Sequence, residues 1–265
     1  MSESRNPTAS PDEPMIKVEK LRAQYDERVI LNDINMEVRR GERLVICGGS
    51  GCGKTTLLRH IIGLQRPTSG GVWIDGEEIT SASDEDLGRI RRKFGVSFQS
   101  GALFGSLTLA DNIALPLEEY TDLERPMIDL IVRLKLSMVS LAGFEDFLIA
   151  ELSGGMKKRA ALARAAALDP AILFFDEPSA GLDPVTSAEL DQLIVQVNRS
   201  LGTTIVVVSH ELASIFTIAD RVVMLDKAER SIIAEGPPEA LRDEHPDPRV
   251  HAFFNRLPRS EQAGD

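Results

Sequence analysis

Short apolar runs and amphipathic stretches alternate along most of the chain. Between Met15 and Cys47 the segments IKVEKL, VILNDINMEV and RLVIC carry short apolar or every-second-residue patterns, which predict strands. GGVWIDGEEI predicts a further strand with a turn at Asp75 and Gly76. DEDLGRIRRKF predicts a short helix leading to the strand GVSFQ. From about residue 100 to 168 the pattern becomes helical, with helices expected in LADNIALPLEEY, PMIDLIVRLKLSMV and GGMKKRAALARAAAL. Beyond it AILFFD, TTIVVVS and RVVML read as strands, separated by helices in PVTSAELDQLIVQVNRSL and ELASIFTIA. Continuous apolar strands alternating with helices imply a parallel sheet covered on both faces. The helical stretch is then an insertion into an α/β domain. A charged segment follows, EGPPEALRDEHPDPRVHAFFNRL, and its end predicts an amphipathic helix with Val250, Phe253, Phe254 and Leu257 on one side.

Composition narrows the classes of function. The 265 residues suffice for one large domain or two small ones. A net charge of -11 and an aromatic content of 5% argue against a nucleic-acid surface, which needs cations and stacking rings. The same charge argues against a broad electrostatic membrane anchor. The most apolar runs are far too short to span a bilayer. Residues 1–14, MSESRNPTASPDEP, lack the apolar core of a secretory signal and read as a disordered tail. Cys47 and Cys52 stand near each other with no matching His or Cys cluster, so zinc is not expected, and a reducing cytoplasmic compartment fits. His60, His245 and His251 read as structural.

The chemistry begins at GGSGCGKTT: Gly48, Gly49, Ser50, Gly51, Cys52, Gly53, Lys54, Thr55 and Thr56. This run follows a strand and opens a helix, the setting in which G-x-x-x-x-G-K-[ST] binds phosphate. Glycines let backbone N–H groups converge on one concavity, and the helix N-terminus adds positive potential. Lys54 suits the β- and γ-phosphates and the Thr55 hydroxyl suits Mg²⁺. The bland alternative is a glycine-rich turn without ligand.

AILFFDEPSAGLDP delivers Asp176 and Glu177 at the C-terminal end of a buried strand, where α/β sheets bind ligands. Asp176 can hold Mg²⁺, and Glu177 can polarise an attacking water. Alone, the pair would as readily end a strand and cap the next helix. Gln99 and His210 also follow strands on the presumed ligand side. Gln99 can touch Mg²⁺ or water, and His210 can bond the γ-phosphate.

ELSGGMKKRAALARA, Glu151 to Ala165, sets a puzzle: Ser153, Gly154 and Gly155 open a helix whose first turns carry cations, against the helix dipole. A serine, two glycines and a helix N-terminus make a second anion site. Simple capping by Ser153 is the plain alternative and is compatible with it. Two anion sites and one phosphate loop suggest that the second serves another copy's nucleotide.

In order and spacing these segments resemble the motifs of ABC-transporter ATPase subunits. GGSGCGKTT resembles the Walker A motif, Gln99 the Q-loop, LSGGM the signature, ILFFDE the Walker B motif, SAGLD with Asp183 the D-loop, and His210 the H-loop. Tyr25 matches the aromatic position that stacks on adenine. The resemblance spans about residues 15–240, with 241–265 as a C-terminal extension. It implies a P-loop NTPase core with a mostly parallel sheet, an N-terminal antiparallel β subdomain and an inserted helical subdomain. It also implies ATP and Mg²⁺ as cofactors. A homodimer would hold each ATP between Walker A of one copy and Ser153, Gly154 and Gly155 of the other. Glu177, His210 and Gln99 would be catalytic; Thr55, Gln99 and Asp176 would meet the metal.

Met156 stands where most of that superfamily has glutamine; its apolar tip suits a subunit contact. With SFQSGALFGSLTLADNIALPL and DPRVHAFF it resembles the Mla/MCE-associated ATPases, which power phospholipid transport between membranes. That branch implies a transmembrane permease, an MCE-domain protein, a small STAS-type subunit, and a place on the inner face of the inner membrane. Three alternatives stay open: an importer ATPase for amino acids or another polar solute, a division or signalling ATPase, and a soluble mechanoenzyme of translation or DNA repair. The last usually carries two cassettes or long insertions, and neither is seen in the sequence.

Overall fold

The computed structural model describes residues 13–257. The expected tail therefore lies almost wholly outside the described residues, as does the end of the C-terminal extension.

The chain opens with β1 (Ile16–Tyr25) and β2 (Arg28–Val38), which pair antiparallel, then β3 (Arg43–Gly48) and α1 (Lys54–Ile61). The hairpin β4 (Ser69–Ile74) and β5 (Glu77–Glu78) turns at Asp75 and Gly76, both at positive φ, as two-residue hairpin turns require. Next come α2 (Asp84–Arg91), β6 (Phe94–Ser97), α3 (Leu109–Tyr120), α4 (Arg125–Met138) and α5 (Gly154–Ala165). The chain then alternates β7 (Ile172–Asp176), α6 (Pro184–Leu201), β8 (Thr204–Val208), α7 (Leu212–Ile218) and β9 (Arg221–Asp226). It finishes with β10 (Ser231–Gly236), α8 (Pro238–Asp243) and α9 (Pro248–Phe254).

Two sheets result. One is antiparallel in the order β2-β1-β4-β5; the other runs β10-β9-β3-β8-β7-β6, parallel except for β10. The α/β class, the antiparallel N-terminal subdomain and the helical insertion between β6 and β7 are all present. The continuous apolar strands are buried on both faces. Val45, Cys47, Leu173, Phe175 and Val207 point into the core shared with the helical insertion. Leu44, Ile46, Phe174, Val206 and Val208 point into the core under the antiparallel sheet. That alternation explains why β7 carries no polar residue before Asp176, and β8 none after Thr204 at its start. Burying Phe174 or Phe175 contributes about 1.5–3 kcal/mol each.

Two expectations shift. β6 ends at Ser97 rather than running through Gln99, which leaves Gln99 on a loop. β10 was not foreseen: SIIAEG is a half-buried edge strand on β9, without the long apolar run of the central strands. The C-terminal amphipathic helix is α9. Val250 and Phe254 are buried and Phe253 packs against the same core, whereas Leu257 is exposed.

Candidate nucleotide site

The loops after β3, β6, β7 and β8 open on one side of the parallel sheet, and their side chains meet around a cleft of about 630 Å³. Gly48, Gly49, Ser50, Gly51, Gly53, Lys54, Thr55 and Thr56 line it, together with Gln99, Glu177 and His210. Four separate sequence motifs thus converge on one space.

The phosphate loop owes its shape to two glycines. Gly48 has φ of 138°, and a Cβ there would stand 2.3 Å from the Leu225 carbonyl oxygen of the neighbouring strand. Gly53, at φ 104°, caps α1 and lies under Leu31 and Ile30. Lys54, only 9% exposed, donates to the carbonyls of Gly48 at 2.9 Å and Gly49 at 3.2 Å. Its ammonium is thereby held over the loop, at the N-terminus of α1, where an anion is favoured. Cys52 is buried beneath the loop, and among the described residues both cysteines are free thiols.

Thr55 Oγ1 donates to Asp176 Oδ1 at 3.2 Å. Burial pushes the Asp176 carboxyl above its ordinary value; the Thr55 bond opposes this and the charge of Glu177 adds to it. Among the described residues no group of three or more His, Cys, Asp or Glu side chains could hold a metal by itself. Thr55, Asp176 and Gln99 offer one hydroxyl, one carboxylate and one amide. These are hard oxygen donors, too few for a dedicated cation cage and suited to Mg²⁺ that shares phosphate oxygens.

Glu177 takes a left-handed backbone conformation, φ 50°, unusual for a residue with a side chain. Its N–H is tied to Val208 O at 2.9 Å, and its Oε1 accepts from His210 Nδ1 at 2.8 Å. The carboxylate and the imidazole are thus already paired across the ends of β7 and β8.

Ser153, Gly154, Gly155 and Asp183 do not line this cleft. Ser153 is exposed and caps α5, its Oγ accepting from Met156 N at 3.3 Å. A Cβ on Gly155 would stand 2.6 Å from Thr186 Cγ2, so this glycine also serves the packing of α5 on α6. Asp183 caps α6 through Val185 N and Thr186 N, each at 3.1 Å. Met156 is half-buried and packs on the chain's own core.

Two of the three cations in the first turns of α5, Lys158 and Arg159, have partners. Lys158 Nζ donates to Gln99 O at 2.6 Å and Glu177 O at 3.4 Å, and Arg159 pairs with Glu189. Further along, Arg164 donates to Gly101 O and Ala102 O. One helix therefore grips the Gln99 loop at three carbonyls. Sequence patterns gave no sign of Lys158, because a lysine bonding backbone carbonyls has no motif. Arg28, Ile30 and Phe253 also line the cleft unforeseen. Tyr25 is not among the lining residues; its hydroxyl donates to Gln65 Oε1 at 2.6 Å.

A family model described as ABC transporter matches residues 31–180. The chain is 45% identical over 230 residues to the intermembrane phospholipid transport system ATP-binding protein MlaF of Escherichia coli (strain K12), a match spanning 87% of this chain and 84% of that protein. It is 42% identical over 240 residues to the probable ribonucleotide transport ATP-binding protein mkl of Mycobacterium leprae (strain TN), spanning 91% of this chain and 68% of that one. Among solved structures, the dimeric post-hydrolysis state of the ATP-binding cassette MJ0796 bound to ADP and Pi aligns with a TM-score of 0.76 at 30% identity, covering 84% of this chain and 98% of that chain.

Proposed function

The chain belongs to the ABC transporter family, and from that premise we propose that it is the ATP-hydrolysing subunit of a system that moves phospholipid between membranes. The observation that carries the chemistry is the convergence of Lys54, Thr55, Glu177, Gln99 and His210 on one cleft, with Asp176 hydrogen-bonded to Thr55. The similarity to MlaF over most of both chains supports the lipid cargo.

In this reading Lys54 and the loop N–H groups hold the β- and γ-phosphates, with Tyr25 at the rim beside the base. Thr55, Asp176 and Gln99 would hold Mg²⁺, which would supply charge neutralisation at the phosphates. Glu177 orients water for in-line attack and accepts its proton; His210 steadies that carboxylate and senses the γ-phosphate. Ser153, Gly154 and Gly155 of a second copy, with its Asp183, close over the nucleotide in a homodimer. No helix among the described residues is long and apolar enough to cross a membrane, and in this reading a permease subunit provides the path. It would dock near the Gln99 loop and the helical insertion, at the inner face of the inner membrane, with an MCE-domain protein and a STAS-type subunit as further partners.

Purification in detergent with its native partners tests the cargo. The expected result is a permease complex that retains phospholipid and hydrolyses ATP. A complex free of lipid, whose ATPase is stimulated by a ribonucleotide or another polar solute, would overturn the lipid reading and favour the role named for the mkl relative.

A further inference from the structure

The cleft is also lined by a part of the chain that the motifs do not include. Among the described residues that line the cleft, Phe253 carries the one benzene ring, and it comes from α9, near the end of the described chain. Its position is well determined by its surroundings. Its ring meets Phe254 edge to face at 5.3 Å between centroids, and Phe254, buried, meets Phe216 of α7 at 6.1 Å. Asp247 caps α9. Arg249 fastens the helix to the β9–β10 turn through Glu229 at 3.0 Å and Asp226 at 3.4 Å.

The same turn carries β2. Arg230 O accepts from Asn32 N at 2.8 Å, two residues beyond Ile30, which lines the cleft and lies over Gly53. One turn thus ties together the strand that supplies Arg28 and Ile30 and the helix that supplies Phe253. An apolar side chain and a flat ring lie beside the phosphate loop, with Tyr25 engaged by Gln65 nearby. A purine base is flat and apolar-faced, and packs well against such a wall.

We propose that Phe253 forms an aromatic wall for the nucleotide base, so that the C-terminal helix is part of the ATP site within one subunit. This rests on the nucleotide reading above and adds to it the surface against which the base lies. α9 also leans on α7, which follows His210, so the helix that carries Phe253 is packed against the segment after that histidine.

The test uses the full chain and two ligands: ADP, and tripolyphosphate, which has no base. Calorimetry on Phe253→Ala should show ADP affinity lowered about two- to tenfold, the size of an aromatic contact. Tripolyphosphate affinity should be unchanged, and Phe253→Trp should restore ADP binding. Where Phe253→Ala fails to fold, Phe253→Leu keeps bulk without the ring and should show the same selective loss. Unchanged ADP affinity overturns the proposal. So does an equal loss for tripolyphosphate, which would mark a structural role, or a base-dependent loss confined to Tyr25→Ala. Lys54→Ala separates the two levels: if it leaves both ligands bound as in wild type, the nucleotide reading itself fails, whatever Phe253 does.

Discussion

The cleft around Lys54 and the start of α5 are both shaped for an anion, but only the first is equipped to hold one alone. In the cleft, a nearly buried ammonium, glycines at positive φ and the N-terminus of α1 act together, with carboxylate, amide and imidazole groups opposite. At α5 the helix end is exposed, the Ser153 hydroxyl is engaged as a cap, and Lys158 and Arg159 turn inward. The difference teaches where the second copy is needed. In the proposed reading one region is a site by itself, and the other is a surface that would become part of a site only when laid against another molecule.

The largest expected effect falls in the complete region. Glu177→Gln should keep ATP binding and lower hydrolysis by roughly 10²–10⁴-fold, the size of a general-base contribution. Steady-state phosphate release gives the rate and calorimetry the affinity. Turnover near wild type would remove Glu177 from the proposed chemistry.

A smaller effect addresses the split itself. Lys54→Ala and Ser153→Glu should each be nearly inactive as homodimers. Mixed in equal amounts, half of the dimers carry one lesion of each kind, and in those both lesions fall on one of the two sites. Recovery to about a quarter of wild-type turnover is then expected if the sites act independently. No recovery at any mixing ratio, with exchange of subunits verified, would mean that Ser153 and Lys54 of one and the same subunit serve one site, or that the two sites are strictly coupled.

The two regions were also unequally legible in the sequence. The cleft's motifs sit at strand ends, and a buried parallel strand announces itself by an unbroken apolar run followed by Asp176 or His210. Local pattern and long-range position agree there. The start of α5 was legible as a cap, but not the inward course of Lys158, which depends on where the Gln99 loop lies. Phe253 was read only as one side of an amphipathic helix. Its place in the cleft depends on β10 returning the chain across β9, and β10 is an edge strand with a weak signal. The left-handed backbone of Glu177 left no trace at all, since nothing in FFDEP demands it. What escaped were contacts between distant segments, made by residues whose local patterns have ordinary explanations.

The smallest effect concerns stability, and here the two regions should differ in sign. Asp176 is 7% exposed, lies beside Glu177, and has its carboxyl held above the ordinary 3.8 chiefly by burial. For a group whose folded pKa is raised, the favourable contribution is full below the unfolded pKa and is lost as pH rises through the folded one. At neutral pH the nucleotide-free protein therefore bears the cost of ionising Asp176. Asp176→Asn should raise the urea midpoint at pH 7 by the equivalent of about 1 kcal/mol, and the gain should shrink on acidification as the wild-type carboxyl takes up its proton. Ser153→Ala removes a helix cap from an exposed position and should instead cost about 1 kcal/mol. Opposite signs at pH 7 would mean that the cleft holds its charges against the fold's preference, whereas the start of α5 stabilises the subunit before any partner arrives. If Asp176→Asn lowers the midpoint at pH 7, the cost of ionising a buried carboxyl assigned to the cleft is absent, and the two regions differ in completeness alone.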